Sequence, residues 1–206
     1  MNSASPLEQI SDRIKGSEGG TVFVASDFRD IANSGSISKT LSRLEEDGLI
    51  RRVIWGVYEY PKYSTFLNEN VATSPHKVAL ALARKHSWSI VPNGDTALNQ
   101  LGLSTQVPAE WTYVSDGTNK EYPMDNTIIR FNRTVKKDIS NLPYKTALLV
   151  QAIKAIGRNR LDDAYMRRIA KLMTAEEKTA ILQDGKYMTA WVYEAVKKIC
   201  NGVSAT

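Results

Sequence analysis

The feature that most constrains this chain is a change of hydrophobic period at Gly48. Before it, Ile37, Leu41 and Leu44 recur at i, i+4 and i+7 behind Ser36, whose hydroxyl can cap a helix by accepting a first-turn N–H. After it, Leu49–Ile54 and Val57–Tyr60 are β-prone runs split by Trp55-Gly56, a hairpin signal. Gly48 suits the left-handed backbone that closes a helix, since it has no Cβ. A short amphipathic helix followed at once by a two-stranded ribbon leaves few folds open.

The upstream residues narrow them further. Ser5-Pro6-Leu7-Glu8 starts a first helix with Leu7, Ile10 and Ile14 as its core stripe, and Gly19-Gly20 end it. Thr21–Val24 is a short extended run, Ser26 caps a second helix through Phe28, Ile31 and Ala32, and Asn33-Ser34-Gly35 turns into the Ser36 helix. That is the inventory of a winged helix-turn-helix, in which the third helix reads base edges in the major groove. With the apolar face turned inward, Ser38, Lys39, Ser42 and Arg43 share the outer face. Arg51 and Arg52 lie on the ribbon and Trp55 at its tip. These residues are the candidate DNA contacts. Glu45, Glu46 and Asp47 would repel phosphates, so the N-terminal half of the helix faces the groove. A solvated polar face accounts for the helix alone, but it predicts no basic hairpin.

The rest of the chain indicates a second domain. Residues 61–74 are polar and broken by Pro61, which reads as a linker or a strapped connection and places the domains at 1–62 and 63–206. Ser74-Pro75 caps a helix to His86, Trp88–Val91 is a strand, and Asn93-Gly94-Asp95 turns into a helix ended by Gly102. Trp111–Ser115 and Thr127–Asn132 are strand-like and joined across Asp116-Gly117, Asn119 and Pro123, giving a small sheet over about 88–132. Helices follow over 142–200: Ala147–Ile156, Leu161–Met173, a Thr174…Glu177 capping box, and Tyr187–Cys200. The fold class is therefore α+β: an N-terminal winged helix-turn-helix and a mixed α/β, largely helical C-terminal domain.

Charge must be divided before it is used. The net +5 of the chain hides a net −1 over residues 1–62, with 8 Lys/Arg against 9 Asp/Glu, and a net +8 over 130–171, with 11 against 3. The DNA reading thus rests on local layout, while Arg158, Arg160, Arg167, Arg168 and Lys171, with Arg130, Arg133, Lys136, Lys137, Lys145 and Lys154, form a second candidate polyanion surface. Its bland counterpart is a solvated helical face. No run approaches the roughly 20 apolar residues that span a bilayer. The N-terminus lacks a basic-then-apolar signal, and the lone Cys200 permits no internal disulfide. A cytoplasmic protein without membrane contact is expected.

With those residues in view, the sequence resembles the AbiEi-type antitoxins of type IV toxin–antitoxin systems, known from abortive infection of phage-attacked cells. Residues 48–52 (GLIRR) continuing to 56–62 (GVYEYPK) resemble the family's wing. Ser74-Pro75, residues 81–85 (ALARK) and residues 92–108 (PNGDTALNQLGLSTQVP) carry the more specific likeness, and the similarity spans roughly residues 5–135. At the wing tip, Ile54-Trp55 stands where such proteins often carry a small or basic residue. The resemblance implies a promoter-binding winged helix that represses its own operon, joined to an antitoxin domain. That domain would counteract a nucleotidyltransferase-type toxin, with or without direct contact. The alternative is a conventional ligand-responsive repressor with no toxin partner, which a compact apolar pocket in the second domain would favour.

Other constellations favour structural roles. Asn93–Pro108 could be a ligand loop, but reads better as a turn-helix-turn whose polar side chains satisfy backbone groups; it lacks a phosphate-loop pattern. His76 and His86 sit near opposite ends of one helix and cannot pair on a metal. Asp116, Lys120 and Glu121 read as the solvated ends of a hairpin rather than nuclease groups. No catalytic residue, metal site or cofactor is expected.

Overall fold

Residues 4–134 and 141–202 are described by a computed structural model, and the α+β chain divides into two compact units between Trp88 and Ser89. The first unit starts with α1 (Pro6–Lys15). Its capping box is complete: the Ser5 N–H donates to Glu8 Oε2 at 2.7 Å and the Glu8 N–H to Ser5 Oγ at 3.3 Å. After β1 (Thr21–Phe23), the expected second helix is reduced to one 3-10 turn, Ala25–Phe28. The Asp27 carboxylate closes that turn by accepting the Val24 N–H at 2.9 Å.

The next helix, α2, runs Ser34–Glu46 and starts earlier than expected. Asn33 rather than Ser36 is the cap, accepting the Ser36 N–H at 3.0 Å, so Ser34-Gly35 form the first helical turn instead of a loop. Asn and Ser cap about equally well, so local chemistry alone did not separate the two. Strands β2 (Arg51–Ile54) and β3 (Val57–Tyr60) pair antiparallel, and β1 adds to the other side of β3. Gly56 turns this hairpin at φ +71°. Ile10, Ile14, Phe28, Ile37, Leu41, Leu44 and Ile50 form the core beneath the helices and the sheet.

The expected boundary at residue 62 falls inside this unit. Strands β4 (Tyr63–Ser64) and β5 (Glu69–Asn70) form a small hairpin, and α3 (Pro75–His86) packs on β1, β3 and the 3-10 turn. Arg84 fastens α3 by donating to Asp27 Oδ1 at 2.9 Å and to the Val22 carbonyl at 2.9 Å, and Lys77 Nζ donates to the Gly20 carbonyl at 2.9 Å. Of the two readings of 61–74, the structure holds the strapped connection.

The second unit holds a mixed sheet in the order β6-β7-β9-β8. Its strands are β6 (Ile90–Pro92), β7 (Glu110–Ser115), β8 (Lys120–Met124) and β9 (Thr127–Arg133). Strands β7 and β9 run parallel, which a direct hairpin between them could not produce. The connection expected between them is itself strand β8, antiparallel to β9. As an edge strand, β8 tolerates Pro123, whose missing N–H would break an inner ladder.

Helices α4 (Gly94–Gln100) and α5 (Tyr144–Ile156) pack on each other, α4 also against β7 and α5 against β6. Helices α6 (Asp163–Ala170), α7 (Ala175–Gln183) and α8 (Ala190–Asn201) complete the core. Helix α5 is apolar nearly all round and buries Ala147–Ala152, Ile153 and Ile156, the pattern of a central helix. The expected 161–173 helix is shorter because Asp162 caps it and it ends at Ala170. The 187–200 helix begins later, after a 3-10 turn at Asp184–Tyr187. No helix among the described residues is long and apolar enough to cross a membrane, and no group of three or more His, Cys, Asp or Glu there could hold a metal ion.

Candidate nucleic-acid interface

Burial of Ile37, Leu41 and Leu44 orients α2 and turns Ser38, Lys39 and Arg43 to solvent, with Ser42 half-buried between them. These four line one shallow groove together with Glu46 and Asp47. Glu46 and Asp47, at the C-terminal end of α2, thus share this face. Arg43 Nε stands 3.9 Å from Asp47 Oδ2 on an exposed surface, a pair too loose and too wet to immobilise the guanidinium. Lys39 has no side-chain partner among the described residues.

The two hairpin arginines differ from this face and from each other. Arg52 donates to Glu45 Oε2 at 2.5 Å, and its guanidinium lies 5.2 Å from the Trp55 ring centre and 5.5 Å from that of Tyr58. It therefore ties the end of α2 to the hairpin and removes the charge of Glu45 from the acidic end. Arg51 turns away from the interface. It donates to Glu59 Oε2 at 2.6 Å, to the Val71 carbonyl at 2.9 Å and to Thr73 Oγ1 at 3.0 Å. Glu59 is buried and Thr73 Oγ1 also donates to it, at 2.8 Å, so Arg51 is the counter-charge of an internal network. The expected DNA contact Arg51 is thus engaged within the unit, and strand alternation sends it to the face opposite Arg52.

Trp55 at the hairpin tip is 81% exposed. Its carbonyl accepts from Lys85 Nζ of α3 at 2.7 Å, a contact sequence reasoning missed. The basic end of α3, Arg84-Lys85-His86, was the available signal, but the thirty-residue separation concealed its target.

The basic stretch 130–171 is less free than its charge suggests. Arg130 pairs with Glu110 at 2.9 Å and Glu121 at 2.8 Å, and Lys145 with Glu177 at 2.7 Å. Arg160 donates to the carbonyls of Ile156 at 2.8 Å and Ala155 at 2.9 Å, closing the end of α5. Arg168 donates to the carbonyls of Gly102 at 3.1 Å and Leu103 at 3.0 Å, just past α4. Lys136 and Lys137 lie outside the described residues. Arg133, Lys154, Arg158, Arg167 and Lys171 keep side chains without a charged partner among the described residues. Arg160 and Arg168 are exposed, but each guanidinium is held by backbone carbonyls and is less free to turn to a polyanion than the other five.

The Asn93–Pro108 segment is similarly engaged. The Thr112 N–H donates to Thr96 Oγ1 at 2.8 Å, Thr112 Oγ1 to the Asn93 carbonyl at 3.0 Å, and Asn99 Nδ2 to the Gln106 carbonyl at 3.0 Å. Its polar side chains fasten α4 to β7 and to the following loop.

No curated protein matches the chain. The model of a family of unknown function, DUF6088, matches residues 9–181, and the chain belongs to that family.

Proposed function

We propose that the first unit is a winged helix-turn-helix that binds duplex promoter DNA through α2 and the β2–β3 hairpin, and that the protein represses its own operon. The observation that carries this reading is the outward face of α2, where Ser38, Lys39, Ser42 and Arg43 stand beside a hairpin with an exposed tryptophan at its tip. Hydroxyls and flexible cations on a helix flanked by a ribbon suit base edges and phosphates together. Arg52 braces the hairpin against α2, and Trp55 packs against sugar and backbone. A mobility-shift titration with the DNA upstream of the gene tests it: saturable, sequence-selective binding supports the reading, and none removes it.

The antitoxin role rests on the resemblance of residues 48–62 and 74–108 to AbiEi-type antitoxins. In that role the protein counteracts a nucleotidyltransferase-type toxin encoded alongside. Co-expression with the neighbouring gene tests this, rescue of growth being the expected result. The alternative, a ligand-responsive repressor, is favoured by an apolar cavity of the second unit between Thr146, Leu149, Met173, Ala180 and Ile181. At ≈ 120 Å³, and with the Lys145–Glu177 ion pair on its lining, it supports the alternative less than residues 48–62 and 74–108 support the antitoxin reading, which stands first.

A further inference from the structure

A second cleft in the same unit, of ≈ 210 Å³, has a different character. Trp191, Ala195 and Lys198 recur along one face of α8, Met166 comes from α6, and Arg158 and Leu161 come from the loop between α5 and α6. Leu161, Met166 and Trp191 give the cleft an apolar, partly aromatic side, the small Ala195 leaves the floor open, and charged side chains supply the rest of the lining. At the rim stand two cations, Arg158 and Lys198, both exposed and without a side-chain partner among the described residues. The one acid there, Glu194, is exposed and held by Lys197 Nζ at 2.6 Å, which offsets its charge.

We propose that this cleft binds one nucleoside monophosphate unit, with the base against Trp191 and Met166 and the phosphate between Arg158 and Lys198. The walls call for a flat body with little polar surface at its faces, and the rim calls for an anion that remains partly solvated. Base stacking on an aromatic side chain is tolerant of sequence. A guanidinium beside an ammonium supplies a planar fork and a point charge for the phosphate. The volume admits a single ring system while the open side leaves the sugar and phosphate outside. A base within a duplex is stacked and cannot enter, so the ligand is a free nucleotide or an unpaired nucleotide of a single strand. All of these residues lie in the second unit, so the proposal does not rest on the DNA-binding reading of α2.

The test uses the full chain, titrated with adenosine 5′-monophosphate and with a 5′-phosphorylated RNA hexamer, following heat release and the Trp191 indole N–H resonance. One site is expected. Arg158→Gln with Lys198→Gln should weaken it on the order of ten- to a hundredfold, since charge-assisted hydrogen bonds are lost. Both positions are exposed, so the fold is retained. Arg167→Gln with Lys171→Gln, which removes as much charge outside the cleft, should leave affinity unchanged. Binding of the hexamer alone assigns the site to a strand, and equal binding of the mononucleotide assigns it to the free ligand. The proposal is overturned if neither probe binds, if inorganic phosphate binds as tightly as the mononucleotide, or if the cleft variant binds as the parent does. A Phe-containing acidic peptide binding where nucleotides do not would also overturn it, in favour of a protein partner.

Discussion

Glu45 in the last turn of α2 and Arg52 in the first strand of the hairpin meet at 2.5 Å, both about one-third exposed. The pair ties the last turn of the helix proposed to enter the groove to the ribbon beside it. It also places a guanidinium beside the proposed DNA-binding face while holding it on a carboxylate. Glu45→Gln should release Arg52 toward a phosphate, steepening the slope of log affinity against log salt by about one unit. Arg52→Ala should instead free the Glu45 charge and weaken binding at every sequence. Mobility shifts across a salt series decide between these outcomes and no effect.

On the helix itself, Lys39 and Arg43 point to solvent and contribute nothing to the core. Arg43→Ala should cost about 1–3 kcal/mol of DNA affinity if it reads a base. The Lys39→Ala, Arg43→Ala double variant should unfold at the parent's urea midpoint. Wild-type affinity in that double variant would remove α2 from the interface.

Arg51 should behave in the opposite way. Its removal leaves Glu59, 2% exposed, with the Thr73 hydroxyl as its one side-chain partner among the described residues. An uncompensated buried carboxylate is costly, and Arg51→Ala should lower stability by roughly 2–4 kcal/mol. Arg51→Gln combined with Glu59→Gln should recover part of that loss, because no charge then remains buried. Urea unfolding measures both, and an unchanged midpoint in Arg51→Ala would exclude the network as a source of stability.

Local signals in the sequence carried far in this chain, and long-range ones did not. The Ser5 capping box, the Ser74-Pro75 start and the Thr174 box all stand where their side chains indicate. So does the outward face of α2, because helical period determines which residues the core takes. The parallel pairing of β7 with β9 left no such trace, since alternation is the same in either direction. Nor could net charge show that Arg51 serves Glu59, or that Arg160 and Arg168 close helix ends. A guanidinium reads alike whether it faces solvent, a buried carboxylate or a carbonyl. The first unit's extent was hidden for the same reason, because α3 is held by Arg84 through partners fifty-seven residues away.

His76 gives the fold a pH dependence. Burial holds its pKa below the ordinary value of 6.5, and its place in the first turn of α3 also disfavours a positive charge. The unfolded chain then binds a proton that the folded chain refuses. Stability is intact above about pH 6.5 and falls as pH drops from there toward the depressed folded value. His76→Gln should flatten that slope while the carboxylate-driven loss near pH 4 remains. Urea midpoints between pH 5 and 7.5 check it, and identical slopes in the two proteins would exclude His76.

The last prediction concerns where the chain can be cut. A fragment ending at residue 62 loses Val71 and Thr73, which hold Arg51, and Arg84, which holds Asp27 and the Val22 carbonyl. It also uncovers the side of β1 and β3 on which α3 packs. A fragment ending at Trp88 keeps all of these contacts. The longer fragment should therefore unfold cooperatively and bind promoter DNA in the mobility shift, while the shorter one should fail at both. If residues 1–62 fold and bind as well as 1–88, α3 is dispensable to the DNA-binding unit and the contacts of Arg84 and Lys77 are incidental. If neither fragment binds while the full chain does, the second unit supplies part of the affinity. Its Arg133, Arg158, Arg167 and Lys171, without a charged partner among the described residues, are then the residues to neutralise next, with the salt slope as the readout.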